Sequence, residues 1–358
     1  MSRPTIMIMA GGTGGHVFPA LALADAMQLR GWDVVWLGTE AGIEARVVPE
    51  RGYKLEKLDI AGMRGNGIKR WLTLPLVLLR AFAQSISLIR QYQPAVVAGF
   101  GGYTAFPAGM MAVLLGKPLV VHEQNSVAGM TNKVLAGVAD AILTAFPAAF
   151  RLGGKVRLVG NPVRTDIANV DMPAQRFAGR SGPLKLLVVG GSLGAVALNE
   201  TVPKALALLP AGQRPQVIHQ AGLRNIDALR SNYAQAGVAA ECVAFIDNMA
   251  LAYADADLVI CRAGALTVAE LAAVGVASVL VPYPHAVDDH QTGNARYLAD
   301  NHAAVLLPQN QMNPDKLAGL LRELNRDKLL HMAQAARKLA KPHATDDVAT
   351  VCLALAKT

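Results

Sequence analysis

The chain has 358 residues, 53% of them hydrophobic and 17% charged, with 33 glycines, a length generous for one domain and comfortable for two. Its three cysteines, Cys242, Cys261 and Cys352, are too few and too scattered for a disulfide framework or a zinc site, which favours a reducing compartment. The net charge of +8 is carried almost wholly by residues 1–160, where 16 Lys/Arg stand against 9 Asp/Glu. A basic half favours an anionic partner, but nucleic acid is not expected: aromatic residues are only 5% and no nucleic-acid-binding motif is present.

The apolar run 5–10 opens the chain and ends in Gly11-Gly12-Thr13-Gly14-Gly15-His16. It leads into glycines rather than a cleavage site, so no signal peptide is expected. The most apolar windows, 72–79 and 105–115, are interrupted by proline or glycine and too short to span a bilayer. The chain is therefore expected to remain in the cytoplasm.

Strands are predicted over 5–10, 33–38, 55–60, 95–99, 119–122 and 141–145, with helices over 17–30, 71–91 and 106–115 between them. Strands apolar on both faces and separated by helices imply a parallel sheet covered on each side. A second series follows at 184–189, 216–220, 242–245, 258–261, 279–282 and 303–306, closed by helices over 314–324, 328–338 and 346–356. The expected fold is thus α/β, two Rossmann-like doubly wound domains with the active site in the cleft between them. Residues 1–162 form the first domain, 163–183 a linker rich in Pro, Gly and Arg, and 184–340 the second domain. Residues 341–358 form a last helix expected to pack back on the first. Ligands of such sheets sit at the carboxyl ends of the strands, where both glycine loops, Gly11–Gly15 and Gly190–Gly194, fall.

The first glycine loop lacks the third, spaced glycine of a dinucleotide fingerprint, because Val17 occupies that place. A nicotinamide enzyme, with Glu40 on the ribose, is one rival reading. In the loop, His16 is a candidate proton acceptor near pH 7, and Glu123, at the end of a strand, competes for that role. Asn125 can both donate to and accept from sugar hydroxyls. Ser192 and the amides of the second loop suit a diphosphate at a helix start. A third glycine turn, at Gly264, opens a helix whose amides at Ala265, Leu266 and Thr267 suit phosphate, with Val268 and Ala269 leading to Glu270, a carboxylate suited to two ribose hydroxyls. Arg164 is a cation suited to pairing with phosphate oxygens. Asp288-Asp289 reads as a solvated loop pair rather than a metal site. In 67–80, leucines too dense for one buried stripe are flanked by Lys69, Arg70 and Arg80. With Trp71, Leu72, Leu76 and Leu79, they suit a segment that enters a headgroup zone over anionic lipid.

Taken in order, Gly11–His16, Gly99-Phe100-Gly101-Gly102-Tyr103, His122-Glu123-Gln124-Asn125, Gly160-Asn161-Pro162-Val163-Arg164, Gly190-Gly191-Ser192 and Cys261–Glu270 cover essentially the whole chain. Their succession resembles the MurG family, the bacterial N-acetylglucosaminyltransferases of peptidoglycan synthesis in glycosyltransferase family 28. The resemblance implies a GT-B fold with acceptor on the first domain and UDP-N-acetylglucosamine mainly on the second. It implies inverting attack by the C4 hydroxyl of the muramyl sugar of lipid I on the anomeric carbon, giving lipid II and UDP. Neither cofactor nor metal is implied.

By the same resemblance Thr13, Gly14, Gly15, Asn125, Arg164 and Ser192 join residues 265–270 as donor contacts. The backbone at Ile246 meets uracil, and Gln291 lies near the donor sugar, although the spacing around it departs from the family pattern. The acceptor's undecaprenyl tail implies peripheral attachment to the cytoplasmic face of the inner membrane, and other cell-wall or division proteins as possible partners. The choice between His16 and Glu123 as base stays open at this point. So do a UDP-sugar 2-epimerase and a non-catalytic nucleotide-sugar-binding module.

Overall fold

The computed structural model describes residues 3–60, 68–191 and 194–356, and of residues 68–72 the backbone alone. The chain divides into two compact units, residues 1–163 with 343–358, and residues 164–342.

The first unit is built on β1 (Thr5–Met9), β2 (Asp33–Gly38), β3 (Lys54–Lys57), β4 (Val96–Gly99), β5 (Leu119–Glu123), β6 (Ala141–Thr144) and β7 (Val156–Leu158). All pair in parallel, in the order β3-β2-β1-β4-β5-β6-β7. Helices α1 (Gly14–Leu29), α2 (Glu44–Glu50), α3 (Ile68–Tyr92), α4 (Ala105–Leu114) and α5 (Met130–Ala136) make the crossovers. Side chains alternate across a strand, and β1 shows the consequence. Ile6 and Ile8 enter one core with Val17, Leu21 and Ala24 of α1. Met7 and Met9 enter the opposite core with Ala105, Ala108 and Ala112 of α4 and Ile89 of α3. Strand β7 was not foreseen: three half-polar residues, Val156-Arg157-Leu158, at a sheet edge carry no readable alternation.

Helix α3 also departs from expectation. The window 105–115, read as too short to span, falls on α4, while 72–79, read in the same way, belongs to a 25-residue helix that runs through Pro75. Its stretch Thr73–Tyr92 is long and apolar enough to cross a membrane by length and composition. Ala81, Ser85 and Ile89, four residues apart and so on one helical face, are buried. Phe82 packs edge-on against Phe106 of α4 with ring centroids 5.9 Å apart, and Arg80 pairs with Asp59 at 2.7 Å. The described part of α3 is therefore a flank of the first unit with one face turned outward.

The second unit repeats the plan with β8 (Lys185–Val189), β9 (Gln216–Gln220), β10 (Glu241–Val243), β11 (Leu258–Cys261), β12 (Ala277–Leu280) and β13 (Ala304–Leu306). They too are parallel, in the order β10-β9-β8-β11-β12-β13. Residues 163–183, expected to be a linker, contain α6 (Thr165–Ala168) and α7 (Pro173–Phe177), with Ile167 and Phe177 buried. Their arginines satisfy buried acceptors. Arg180 reaches the fully buried Asp257 at 2.5 Å, and Arg176 donates to the carbonyls of Ala254, Val274 and Gly275. Helices α8 (Val196–Ala207), α9 (Ile226–Ala236), α10 (Met249–Asp255), α11 (Ala265–Val274), α12 (His290–Ala299), α13 (Pro314–Glu323) and α14 (Arg326–Lys338) complete the unit. Strand β12 starts two residues earlier than predicted and stops before Pro282, which has no N–H to give to a ladder.

A last helix, α15 (Ala344–Leu355), belongs to the first unit. Val348, Ala349 and Cys352 are fully buried beside the α1 core, and Asp346 pairs with Arg30 at 2.6 Å. In each sheet the order reverses between two neighbouring strands, β1 and β4 in the first unit, β8 and β11 in the second. That reversal leaves a crevice at their carboxyl ends.

Candidate active site

The loops after β1 and β4 meet at the first crevice. Gly102 has φ +88, and a Cβ there would lie 2.6 Å from the Gly11 carbonyl oxygen, so only glycine lets the two turns touch. A Cβ at Gly101 would lie 3.3 Å from the His16 ring, which places the imidazole beside the second turn. His16 sits in the first turn of α1, half exposed, with Nδ1 3.3 Å from the Gly11 carbonyl oxygen. A carbonyl only accepts, so this contact requires the proton on Nδ1 and puts the lone pair on Nε2. Thr13 caps α1 through its backbone, its carbonyl accepting the amides of His16 and Val17 at 3.1 Å. Gly14 and Gly15 form the open first turn, where a helix offers amides and partial positive charge.

Glu123, buried at the end of β5, is committed on both oxygens. Oε1 accepts the Asn125 amide at 2.9 Å, and Oε2 accepts the Gly129 amide at 3.0 Å and Asn132 Nδ2 at 2.8 Å. It is the post around which residues 124–129 wind, and it fixes the backbone from which Asn125 projects. Next to it His122 is buried, stacked on Phe100, with Nε2 2.9 Å from the Gly160 carbonyl. Burial lowers its pKa to about 4, so it is neutral at pH 7.

In the second unit, the loop after β8 is held by Gln220, the last residue of β9. The Gly191 amide donates to Gln220 Oε1 at 3.1 Å, while Nε2 donates to the carbonyls of Gly191 at 3.1 Å and Ala244 at 3.0 Å. Gly194 has φ +75, and a Cβ there would stand 1.9 Å from the Ala221 carbonyl oxygen. Ser192 of this loop lies outside the described residues.

The loop after β11 delivers the chain to α11 through Gly264, whose extended backbone starts the helix at Ala265. The first-turn amides of Ala265, Leu266 and Thr267 follow, and Val268 is buried in the same turn. Glu270, on the next turn after Ala269, is 8% exposed. Its Oε2 accepts Tyr253 Oη–H at 3.2 Å, and its Oε1 stands 3.8 Å from Arg164 Nη2. Burial pushes its pKa up to about 7, against the pull of the Arg164 guanidinium and the Tyr253 hydroxyl. Arg164 itself, just before α6, is partly exposed, as a side chain must be to reach a charged ligand.

Gln291, in the first turn of α12, accepts the Tyr283 amide at 2.9 Å and so ties down the loop 283–291. Asp288 and Asp289 in that loop are exposed with positive φ. Ile246 is half-buried in the loop after β10. Of the segment expected to meet lipid, Leu76 and Leu79 are 71% and 64% exposed, and Arg80 is exposed beside Asp59. The side chains of Lys69, Arg70, Trp71 and Leu72 lie outside the described residues. Glu40, the acid of the dinucleotide reading, is an exposed partner of Lys57 at 3.0 Å.

Sequence reasoning missed Glu44, Asn132, Gln220 and Tyr253. Gln220 left a readable trace, a polar residue closing an otherwise buried strand. The other three act across gaps of 9 to 32 residues, which no local pattern reports.

The N-terminal domain model of glycosyltransferase family 28 matches residues 6–144, and the C-terminal domain model of that family matches residues 185–348. The UDP-N-acetylglucosamine–N-acetylmuramyl-(pentapeptide) pyrophosphoryl-undecaprenol N-acetylglucosamine transferase of Aromatoleum aromaticum is 61% identical, over 98% of each chain. The enzyme of the same name from Azoarcus sp. is 60% identical, over 99% of this chain and 98% of its own. Among solved structures, MurG of Acinetobacter baumannii superposes with a TM-score of 0.87 at 44% identity, covering 98% of this chain and 99% of that one. With two parallel sheets of this order and both family domains in sequence, the chain belongs to glycosyltransferase family 28 and has the GT-B fold.

Proposed function

We propose that this chain moves N-acetylglucosamine from UDP-N-acetylglucosamine to the C4 hydroxyl of the muramyl sugar of undecaprenyl-pyrophosphoryl-MurNAc-pentapeptide, lipid I. The products are lipid II and UDP. The observation that carries the reading is the presence, in one chain of this family, of two crevices of different chemistry. One holds an imidazole whose Nδ1 proton is anchored, and the other holds a buried carboxylate flanked by Arg164 and a helix N-terminus.

In the forward step His16 Nε2 takes the C4 hydroxyl proton as the oxygen attacks the anomeric carbon from the face opposite UDP. The bond from that carbon to the β-phosphate oxygen breaks, its electron pair leaves with UDP, and configuration inverts. The base needs an anchored ring, which the Nδ1–Gly11 contact supplies. Glu123 serves by holding the Asn125 loop. Arg164 and the first-turn amides of α11 neutralise charge on the leaving diphosphate, a role that Ser192 shares by family resemblance. Glu270 accepts the two ribose hydroxyls, Ile246 meets uracil through its backbone, and Gln291, Asn125, Thr13, Gly14 and Gly15 contact the donor sugar and its phosphates.

The acceptor carries a polyprenyl tail, so the enzyme works as a peripheral protein at the cytoplasmic face of the inner membrane. The exposed Leu76 and Leu79 beside Arg80 support that placement.

The test is UDP release from UDP-N-acetylglucosamine with and without a lipid I analogue. Release only with acceptor, together with a disaccharide product, is the expected result. Release without acceptor overturns it in favour of an epimerase or hydrolase.

A further inference from the structure

We infer that Glu44 is a positioning residue for His16, acting through the peptide bond between Gly11 and Gly12. Glu44 is the first residue of α2 and is fully buried. Its Oε2 accepts the Gly12 amide at 3.0 Å, and its Oε1 accepts the Thr39 amide at 2.9 Å and Thr39 Oγ1–H at 2.7 Å. Among the described residues it pairs with no cation. A carboxylate accepts at both oxygens and donates at neither, and this seat offers it donors only.

The seat is shaped for the side chain. A Cβ at Gly11, Gly38 or Gly42 would stand 2.7, 2.6 or 2.0 Å from the nearest Glu44 atom. Three glycines, one in the loop after β1, one ending β2 and one in the loop that follows it, thus leave the volume that one carboxylate fills.

The Gly12 N–H that Glu44 binds and the Gly11 C=O that His16 Nδ1 binds belong to a single peptide group. A negative charge on the N–H side draws electron density toward the carbonyl oxygen and makes it a better acceptor. The chain of contacts runs from carboxylate to peptide N–H, and from peptide C=O to imidazole Nδ1–H. It does for His16 what a directly bonded aspartate does in an Asp–His pair: it fixes ring orientation and tautomer, with the peptide as the intervening group. On the far side the ring meets the Gly101 turn, and Asn132, whose Nδ2 is 3.7 Å from a Cβ built at Gly101, passes to Glu123. Glu44 and Glu123 are the carboxylates behind the two turns that enclose His16. Glu44 alone is bonded to the peptide on which the ring leans.

This inference rests on the reading of His16 as the base, and its test separates the two. Glu44→Gln keeps the volume but sets an NH2 group against a donor. Turnover is expected to fall roughly tenfold to hundredfold, the range typical for groups that orient a working histidine, with UDP binding within about twofold of the parent. The same substitution in a His16→Ala background is expected to cost nothing more. Imidazole nitrogen-15 spectra of the neutral ring are expected to show one tautomer, protonated at Nδ1, in the parent, and a mixture in Glu44→Gln. His16→Ala removes that signal and so assigns it.

An equal turnover loss from Glu44→Gln with or without His16 overturns the inference, as does an Nε2-protonated ring in the parent protein. The parent spectrum decides even where Glu44→Gln fails to fold. If His16→Ala keeps full turnover while the tautomer result holds, the base assignment fails and the Glu44–peptide–His16 chain stands.

Discussion

The two glycine loops end the first strands of two sheets with the same central order, yet opposite chemistries hold them. The first is gripped by a carboxylate: Glu44 accepts from Gly12 and twice from Thr39 and donates nothing. The second is gripped by an amide: Gln220 accepts from Gly191 and donates to Gly191 and Ala244. Each side chain matches what its loop presents, donors only in one case and both kinds in the other. The electrostatic consequence differs as well. A buried negative charge behind the first loop favours a proton on the near side of His16. The same charge behind the second loop would repel a diphosphate, and a neutral amide stands there instead.

Backbone geometry gives the largest expected effect. Alanine at Gly194 has to accept φ +75 and a Cβ 1.9 Å from the Ala221 carbonyl, a strain plus a clash worth more than about 3 kcal/mol. Alanine at Gly12 faces the same kind of φ, +91, with nothing within 4 Å, and costs only the left-handed strain of about 1–2 kcal/mol. Urea unfolding of the two variants measures the difference. Equal losses would mean that the second loop moves aside freely, and the contrast in packing would be lost.

Exchanging the grips comes next. Gln220→Glu turns an acceptor toward the Gly191 and Ala244 carbonyls and adds a charge beneath the second loop. Two lost donor bonds and the added repulsion are expected to weaken UDP binding by about 1–3 kcal/mol, read by titration calorimetry. Unchanged UDP affinity would remove the diphosphate from this loop.

How much of this was legible before the structure follows from range. Both sheets, their parallel strands and the glycine turns could be read, because apolar runs such as Ile6–Met9 and Leu258–Cys261 and the turns that end them are local signals. His16 and Glu270 were readable for the same reason, each lying within a turn or two of a glycine-opened helix start. Glu123 was recognised as an acid at a strand end and a competing base. Its role in holding the loop required seeing Gly129 and Asn132 fold back onto it. Glu44 carried no local signal, for its partners lie 5 and 32 residues away. The Pro, Gly and Arg content of 163–183 suggested a linker; that Arg176 donates to the carbonyls of Ala254, Val274 and Gly275 is a tertiary effect that composition cannot report.

Glu270 offers a smaller, pH-dependent effect that has no counterpart in the first loop. Its pKa in the folded protein is raised to about 7 from 4.5, so its contribution to stability is fully present below about pH 4.5 and is lost as pH rises through 7. Nucleotide binding runs the other way. Ribose hydroxyls donate to the charged form, so UDP affinity is expected to rise between about pH 6 and pH 8 by up to roughly tenfold, about 1.4 kcal/mol. Proton release on binding is expected near pH 6, measured in buffers of different ionisation enthalpy. Glu270→Gln keeps the phosphate's own titration and removes this share. If the variant and parent show the same release, the carboxylate is not the group that meets the ribose.

The smallest effect sharpens the comparison from within one stretch of chain. Glu40 and Glu44 both follow β2 and are four residues apart, and by sequence Glu40 was the acid of interest. In the structure Glu40 is 84% exposed and pairs with a half-exposed Lys57, where water and salt screen the attraction. Glu40→Ala is therefore expected to change stability by less than about 0.5 kcal/mol and to leave turnover unchanged. Glu44→Ala, by contrast, takes the charged acceptor from the Gly12 and Thr39 donors and empties a fully buried seat, a loss of about 1–3 kcal/mol. Thermal unfolding and turnover of the two variants, measured together, decide whether the force on the first loop comes from burial among donors or from a carboxylate anywhere nearby. A comparable loss at Glu40 would mean that charge alone suffices, and the buried seat made by Gly11, Gly38 and Gly42 would have no part in it.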